Sequence, residues 1–564
     1  RDGSATIHNG ALDWVYDEEV YGRGSKQVFR WSADGRYLSF LRIDEGPVKP
    51  FVLVDHLPKL QGTELELYPK AGEPNPTARL LVADLTRPDA APIAVDLGLY
   101  PDDDLLIVRF GFTPDGKRVL VQVQNREQNK LDLLSADPAT GRDVRIWIQE
   151  KNDKGWVDVA DTPQWLADGS FLWWSTRDGH RHLYRYRGDG APLGQVTRGP
   201  WDVRSVVKVD EAAGTVLVET NGADVSGSCF ARARLDGMGV PVVLTRGGGT
   251  HALSFAPGDG YFLDTVSDAE NPGEVRVCDA SGNVLRTVAR MLPPDAPADT
   301  LGIPRFMKYP ARDGYLLEGT LLLPPKWDGR TPLPVFQPVY SGPDAPTARN
   351  SWLAVNGNAY HQFLARNGIA VWTSDNRTAN PRGNGARFAQ YRDFGASELR
   401  DLEDGLAFLA AKGIHQPGRA AISGWSFGGF MTAYALTRSK AWSVGVAGAG
   451  VMDWHLYDTI YTERYMSTPQ RNPAGYRSSS VVENAAGLSG KLLIVHGMMD
   501  DNVHMQNSVK LAYALQKSGK QFDMMFYPAP TSRHGIGDPD QSRHERLLAA
   551  RYVLSHLLPG KEIQ

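Results

Sequence analysis

The sequence predicts two consecutive parts, a β-propeller and then an α/β domain with a mostly parallel sheet. Two observations lead to this fold class: one turn motif recurs through the first half, and short apolar runs alternate with helical patterns through the second half. The length of 564 residues agrees with this division, because single domains usually contain about 100–200 residues.

The recurring turn contains Asp-Gly and lies between strand-forming stretches. Asp-Gly supplies the positive backbone angles of a tight hairpin, and the β-branched and aromatic residues around it suit strands. The later copies recur about every 45–50 residues, which is the length of a four-stranded propeller blade. A β-sandwich is the alternative, but it would not repeat one turn at blade spacing. The copies are WSADGRYLSFLR (31–42), FTPDGKRVLVQV (112–123), WLADGSFLWWST (165–176), FAPGDGYFLDTV (255–266) and the degenerate VDEAAGTVLVET (209–220).

A proline-rich junction at 290–306 separates the two predicted domains, residues 1–295 and residues 296–564. The stretch YLLEGTLLLPP after it is predicted to form a hairpin. Apolar runs of the kind buried in parallel sheets then alternate with helical patterns. The runs are 333–340, 368–375, 420–425, 491–497 and 522–528, and the helical patterns are 396–412, 505–519 and 542–557.

Composition disfavours several classes of function. A formal net charge of −4 without a long Lys/Arg run disfavours nucleic acid as a partner. The two cysteines, Cys229 and Cys278, are too few for a disulfide scaffold or a cysteine metal cluster, and their pairing stays open. We expect no membrane span, because no run of about 18 apolar residues occurs.

The motif GWSFGG at 424–429 has the G-x-S-x-G pattern and lies directly between an apolar strand and a helical stretch. A serine on such a turn has its hydroxyl pushed out of the sheet, and the glycines remove side chains that would clash. The motif alone is common by chance, but in this position it predicts that Ser426 is a nucleophile.

A nucleophilic serine needs a base and a carboxylate that orients the base. In α/β-hydrolases these follow the serine along the chain in the order Asp or Glu, then His, each after a later strand. Asp500 comes 74 residues after Ser426, and His534 comes 34 residues after Asp500. We predict that these three form a catalytic triad and that Asp501 points away. The other nearby histidines are interpreted as packing or surface residues, namely His496, His504 and His544.

Five motifs span most of residues 300–564: VYSGP (339–343), GWSFGG, DWHLYDTIYTERYM (453–466), HGMMDDNVH (496–504) and HGI (534–536). Within them, YDTIYTERYM is much rarer than the serine motif. Through these motifs the second half resembles the prolyl oligopeptidase family, and within it the dipeptidyl peptidase IV branch. The resemblance implies a β-propeller followed by an α/β-hydrolase domain with a mostly parallel, doubly wound sheet.

The resemblance also interprets the acidic stretch DWVYDEEVYGRG at 13–24. Three adjacent carboxylates most often form a solvated turn. Residues 13–21, however, resemble the family's double-glutamate helix, which implies that Glu18 and Glu19 bind the free α-ammonium of a substrate. With the amine held there, only the peptide bond after the second residue would reach Ser426.

Further site residues are implied by the resemblance. Asn502 would contact the substrate carbonyl, and Tyr340 would stabilise the oxyanion together with the backbone N–H of Phe427, which follows from the elbow geometry. No metal or cofactor is expected. The implied proline pocket, whose members could instead be ordinary core residues, consists of Val451, Trp454, Tyr457, Tyr461 and Val503.

Three departures from the family stand out. Phe427 replaces a tyrosine, and the segments 375–385 and 529–536 differ near the site. Family members also carry roughly three further blades, and an arginine that assists carbonyl binding, before the double-glutamate segment. We therefore expect the chain to be a fragment of a longer protein.

The predicted function is that of a serine exopeptidase that releases N-terminal dipeptides, with Pro or Ala second, through an acyl-enzyme. Alternatives are a prolyl tripeptidyl peptidase, a broader aminopeptidase or oligopeptidase, and a catalytically silent scaffold that binds protein partners. A plain esterase has no use for Glu18 and Glu19. The expected partners are peptides with a free N-terminus and a second copy in a homodimer. The expected location is the periplasm or the outside of the cell, with the cytoplasm as the alternative.

Overall fold

The computed structural model describes residues 3–25, 28–160, 163–222, 224–292 and 300–560. Antiparallel sheets occupy the described residues before 292, and one large mixed sheet is built from residue 303 onward. The predicted boundary between residues 295 and 296 lies outside the described residues, so it stays a prediction.

The antiparallel sheets have the form of the predicted propeller blades. Each of the five predicted turns joins two neighbouring antiparallel strands of one sheet. In the described residues the five sheets contain these strands: Ile7–Asn9, Phe29–Trp31, Tyr37–Asp44, Thr77–Asp84 and Ile93–Ala94; Leu106–Phe112, Val119–Gln124, Lys130–Ala136 and Arg145–Lys151; Gln164–Trp165, Phe171–Ser175, His182–Tyr186 and Pro192–Gln195; Val203–Asp210, Thr215–Thr220, Cys229–Arg234 and Val242–Val243; Thr250–Phe255, Tyr261–Ser267, Glu274–Asp279 and Val284–Arg290.

Two insertions leave the first of these sheets and contact the second half. One is the helix Tyr16–Gly22, and the other is the hairpin of strands Pro50–Asp55 and Gly62–Leu67. The phenol of Tyr68, just after the hairpin, donates to the carbonyl oxygen of Asn502 at 2.9 Å. The insertions thereby bring the acidic stretch to the other half of the chain.

The second half is built on an eight-stranded sheet. Its first three strands in sheet order are antiparallel neighbours, and the other neighbouring pairs are parallel. The order across the sheet is Ile303–Pro310, Leu316–Leu323, Ala370–Ser374, Leu333–Pro338, His415–Trp425, Val444–Gly448, Lys491–Gly497 and Asp523–Tyr527.

The prediction that YLLEGTLLLPP forms a hairpin is wrong. Residues Leu316–Leu323 form one continuous strand, which pairs with Ile303–Pro310 on one side and Ala370–Ser374 on the other. Gly319 does not make a turn. A Cβ atom there would stand 2.5 Å from the ring of Trp372, so the glycine admits a close approach of that ring.

Helices pack against this sheet as the periodic pattern predicted. The predicted helices at 396–412, 505–519 and 542–557 correspond to helices in the structure, and Leu402, Leu406 and Leu409 are buried on one face of the first. Cys229 and Cys278 are free thiols. Among the described residues, none of the helices combines the length and apolar character needed to cross a bilayer. The helices are Trp352–Asn356, Ala359–Arg366, Asn384–Arg387, Ala396–Ala411, Phe427–Arg438, Thr459–Met466, Pro473–Ser479, Gln506–Lys517 and Pro539–Leu557.

Candidate active site

Ser426 lies on a sharp turn between a central strand and the helix Phe427–Arg438. Its backbone has φ 60° and ψ −120°, a conformation that residues with a side chain rarely adopt. A Cβ atom at Gly424 or Gly428 would stand 2.3 Å from the carbonyl oxygen of Val339. The predicted nucleophile therefore sits on a strained elbow that only glycine neighbours permit.

Asp500 and His534 are adjacent. Nδ1 of His534 is 3.0 Å from Oδ2 of Asp500, and Oδ1 accepts the backbone N–H groups of Asn502 and Val503, each at 3.0 Å. Burial opposes ionisation of Asp500, yet His534 and His496 together hold the pKa of Asp500 below its ordinary value. Burial also opposes protonation of His534, but the Asp500 carboxylate outweighs this and raises the pKa of His534. The pair is thus an imidazole oriented by an ionised carboxylate.

His496 is a second histidine on the same carboxylate, a contact that sequence reasoning missed. Its Nε2 lies 3.1 Å from Oδ2 of Asp500 and 2.7 Å from the carbonyl oxygen of Val503. Both partners are acceptors, so Nε2 carries a proton and donates it. Nδ1 lies 2.7 Å from the hydroxyl of Ser508. The only sequence signal was the H-x-x-x-D spacing within HGMMD.

The two predicted oxyanion donors lie beside Ser426. Burial raises the pKa of Tyr340, and the neighbouring Ser426 hydroxyl opposes only part of this rise, so the phenol keeps its proton. The ring centroids of Tyr340 and Phe427 are 6.2 Å apart. The first N–H groups of a helix have no partner inside it, and that of Phe427 comes directly after the nucleophile. A phenol and a backbone N–H are therefore available near the reacting oxygen.

The acidic stretch is fixed between the two halves of the chain. It forms the helix Tyr16–Gly22, whose buried side chains Tyr16 and Val20 join a propeller core cluster that also contains Ile460 of the second half. Glu18 and Glu19 lie on the rest of the helix surface, toward Asn502 and Asp458 of the second half, whereas Asp17 accepts the backbone N–H of Gly24.

Glu18 reaches the loop that carries the triad acid. Its Oε1 accepts a hydrogen bond from Nδ2 of Asn502 at 2.8 Å, and its Oε2 lies 2.9 Å from Nε of Arg23. Oδ1 of Asn502 in turn accepts the phenol of Tyr457 at 2.7 Å. Burial raises the pKa of Glu18, while Arg23 and His534 act in the opposite direction. Glu18 is therefore within electrostatic range of the proposed base.

Comparisons with known proteins agree with this geometry. Residues 1–273 match the family model of the dipeptidyl peptidase IV N-terminal region, and residues 356–559 match that of the prolyl oligopeptidase family. The chain belongs to the prolyl oligopeptidase family, in its dipeptidyl peptidase IV branch.

Two curated relatives and two solved structures illustrate the similarity. The probable dipeptidyl-aminopeptidase B of Aspergillus oryzae is 30% identical and that of Tuber melanosporum 32% identical, each over 95% of this chain and 62% of the relative. The crystal structure of Porphyromonas gingivalis dipeptidyl peptidase 4 has a TM-score of 0.86 at 29% identity and covers 99% of this chain and 78% of that one. A putative dipeptidyl aminopeptidase IV from Bacteroides ovatus has a TM-score of 0.86 at 25% identity, covering 99% and 80%. The chain thus spans about three fifths of the length of the curated relatives.

The residues of the proposed proline pocket lie together in this family member. The ring of Trp454 is 6.0 Å from that of Tyr457 and 6.2 Å from that of Tyr461. Val451, Trp454 and Val503 are at most 2% exposed, whereas Tyr461 is half-buried. The three most buried members are therefore core side chains, and Tyr461 is the member that solvent reaches.

Glu19 faces a carboxyl group that the sequence analysis did not single out. Burial raises the pKa of Glu19 well above its ordinary value, and Asp458 and Glu18 add to the rise, while Arg464 opposes it. Burial also raises the pKa of Asp458, which caps the helix Thr459–Met466. A cation placed at these carboxyl groups would favour their charged forms. The signal for Asp458 was its place in the YDTIYTERYM motif.

A chain of ion pairs links the acidic helix to the loop of His534. Arg23 contacts Asp501 at 3.2 Å, Asp501 contacts Arg533 at 3.1 Å, and Arg533 contacts Glu64 at 2.8 Å. Asp501 thus pairs with Arg23 and Arg533, and its orientation relative to the imidazole stays a prediction. The lengthened segment before His534 is held by this chain of ion pairs and by Nε1 of Trp425, which donates to the carbonyl oxygen of His534.

Proposed function

We propose that this chain carries the active site of a serine exopeptidase that releases dipeptides from peptides with a free N-terminus. The observation that carries the proposal is the 2.8 Å hydrogen bond from Asn502 to Glu18. It joins the acidic helix to the loop of Asp500, so an ammonium-binding group lies beside an acyl-transfer site. The names of the matched relatives support the same activity.

The proposed reaction is acyl transfer. Ser426 attacks the carbonyl carbon after the second residue while His534 takes its proton, and Asp500 keeps the imidazole in the correct tautomer. The tetrahedral oxyanion receives hydrogen bonds from Tyr340 and the backbone N–H of Phe427. His534 then gives its proton to the leaving amine, and water releases the acyl group by the reverse steps.

The acidic helix sets the proposed length of the product. An ammonium group offers three donors, and Glu18, Glu19 and Asp458 offer carboxyl oxygens in a partly buried site. A substrate anchored there presents its second peptide bond to Ser426. A blocked N-terminus has no such charge, so it should bind poorly.

The proposed preference for Pro or Ala in the second position rests on the aromatic pocket. Tyr457 and Tyr461 stand at right angles with ring centroids 5.4 Å apart, and Trp454 lies next to both. A compact apolar ring or a methyl group suits such a space, whereas a long charged side chain does not.

The decisive assay measures p-nitroaniline release from Gly-Pro-p-nitroanilide, its N-acetylated form and Ala-Ala-Pro-p-nitroanilide. We expect turnover of the first substrate only, and its loss in Ser426→Ala. Preferred turnover of the tripeptide substrate would favour a tripeptidyl peptidase. Equal turnover of the blocked substrate would refute a role of Glu18 and Glu19 in amine binding, and failure of all three would favour the scaffold alternative.

We also propose a homodimer and a location in the periplasm or outside the cell. The hairpin of Pro50–Asp55 and Gly62–Leu67 exposes apolar side chains: Leu57 is 59%, Leu60 85% and Leu65 73% exposed. Exposed apolar groups on one hairpin are typical of an interface. Light scattering should give twice the mass of one chain, and a single-chain mass would contradict the dimer. Cell fractionation of the source organism tests the location.

A further inference from the structure

A cavity of about 260 Å³ lies between the propeller and the hydrolase part, and it contains none of the proposed catalytic residues. Propeller residues 202–204 line one part of it, and hydrolase segments 344–349 and 379–381 line another. A second cavity, of about 130 Å³, shares Arg181 and Arg204 with it. The charged residues that line the larger cavity are Arg181, Arg204, Arg349, Arg387, Asp202 and Asp344.

Some of these charged side chains form ion pairs between the two halves of the chain. Arg387, with a side chain only 5% exposed, contacts Asp158 at 3.0 Å and Asp344 at 3.3 Å. Arg181 contacts the same Asp158 at 2.8 Å, and its backbone N–H donates to Asp202 at 2.8 Å. These two arginines and three carboxylates leave one net negative charge within the joint.

Arg204 and Arg349 add two positive charges, which exceed the single net negative charge left in the joint. The guanidinium of Arg204 donates to the carbonyl oxygens of Val225 and Gly227, and Glu219 is at the edge of ion-pair distance, 4.0 Å away. Burial lowers the pKa of Arg204, and Arg349 adds to this, whereas Glu219, Asp202 and Glu318 oppose it. Arg349 is exposed and lines the same cavity. Two cations that face one cavity would both be stabilised by an anion between them.

The cavity lies close to the proposed oxyanion residue. Asp344 follows Tyr340 by four residues, and four extended residues span at most about 14 Å. The ring of Tyr465 is 5.0 Å from that of Tyr461, and the charges of Asp344 and Asp158 act on Tyr465. Tyr465 thus packs against the proposed proline pocket and lies within electrostatic range of Asp344 in the lining of the cavity.

We propose that this cavity binds an anionic group of the leaving peptide, a carboxylate about two to four residues after the scissile bond. Arg204 and Arg349 would be its ligands, because a guanidinium binds a carboxylate through two parallel hydrogen bonds. The inference rests on the proposed function: with the N-terminus held by Glu18 and Glu19, all residues beyond the second lie on the leaving side.

A peptide series tests the proposal. The substrates are C-terminally amidated peptides Gly-Pro-(Ala)n-Glu with one, two or three alanines, each compared with its Gln counterpart, and kcat/KM is measured by chromatography. We expect the Glu peptide to be cleaved about 5–10-fold faster at one length in low salt, with the advantage falling as salt rises. Equal turnover of Glu and Gln peptides at every length would overturn the proposal.

Variants locate the anion. Arg349→Met should bring the Glu-to-Gln ratio close to one, and Arg204→Met should do the same. Arg330→Met, an equal substitution in an exposed turn of the hydrolase part, is the matched control and should keep the ratio. Because Arg204 is largely buried, the exposed Arg349 decides the outcome if the Arg204 variant folds poorly. A ratio that survives Arg349→Met would contradict the assignment.

Two further measurements separate this proposal from the proposed function. Gly-Pro-p-nitroanilide has no carboxylate on its leaving group, so its turnover reports on the proposed dipeptidyl peptidase activity alone. Calorimetric titration of the Ser426→Ala protein with the Glu and Gln peptides requires no turnover. Tighter binding of the Glu peptide would support the anion subsite even if no substrate is cleaved, and equal affinities would refute it.

Discussion

The two ends of the proposed active site are held in different ways. Ser426, Asp500 and His534 come from loops at the ends of strands in one sheet, and neighbouring backbone groups fix the elbow and the acid. Glu18 and Glu19 come from the other half of the chain, and contacts between side chains place them. The proposed chemical step therefore relies on contacts within one domain, whereas the proposed length of the product depends on how the two halves meet.

The largest expected effect comes from removing the proposed nucleophile. Ser426→Ala should lower kcat for Gly-Pro-p-nitroanilide by about 10⁵-fold or more, because the covalent step is lost. Binding of a dipeptide product, measured by calorimetry, should change little, since the acidic helix is untouched. A variant that keeps substantial turnover would show that another residue is the nucleophile.

The next largest effect is expected from substitutions in the acidic helix. Glu18→Gln and Glu19→Gln should each lower kcat/KM for free-amine substrates by about 30-fold or more, the usual result of removing one partner of a buried charge pair. Asp103→Asn, in an exposed propeller turn, is the control and should retain activity. If both Glu variants cleave Gly-Pro-p-nitroanilide at the rate of the control, the acidic helix has no part in amine binding.

The third effect concerns His496, which supports Asp500 through a hydrogen bond without touching the substrate. His496→Phe removes a donor from Oδ2 of Asp500 and should lower kcat by about tenfold with little change in KM, since one hydrogen bond to a charged group is lost. His496→Gln keeps a donor and should recover most of the loss. Equal kcat values for the Phe variant and the parent, with normal folding by circular dichroism, would contradict a positioning role.

The smallest expected effect is a shift in the pH dependence of activity, caused by the charge of Arg23 acting on His534. His534 must be neutral to act as a base, and its pKa is raised above 6.5, so activity should fall as the pH drops through that raised value. Arg23 lowers the pKa of His534, so Arg23→Gln should move the acid limb of kcat/KM to higher pH by a few tenths of a unit. The side chain of Arg23 is 49% exposed, and solvent screens its charge. A shift to lower pH would contradict the linkage.

The sequence predicted the parts of the site that are tied to local patterns. The serine motif lies between a strand and a helix, and Asp500 and His534 follow later strands, so their positions could be inferred from order alone. The prediction of a hairpin in YLLEGTLLLPP was wrong, because Leu316–Leu323 continues as one strand through its central glycine. The tertiary contact with the ring of Trp372 explains that glycine, and no local pattern records such a contact.

The parts of the candidate site that the sequence did not predict depend on contacts between residues far apart in the chain. Arg23 and Asp501 are 478 positions apart, yet they form one ion pair. In the sequence, His496 has the position of a core residue in its strand. Only the fold of the following loop places Asp500 next to it. The placement of Glu18 was available only through the resemblance to the family, since three adjacent acids alone indicate a solvated turn.

The backbone conformation at Ser426 lowers the stability of the fold at the residue proposed to be the nucleophile. A non-glycine residue at φ 60° and ψ −120° costs of order 1–3 kcal/mol, and a glycine there would remove that cost along with the hydroxyl. Selection for heat resistance alone would favour the glycine, and selection for turnover the serine. The nucleophile is therefore kept at a position where the most stable sequence is an inactive one.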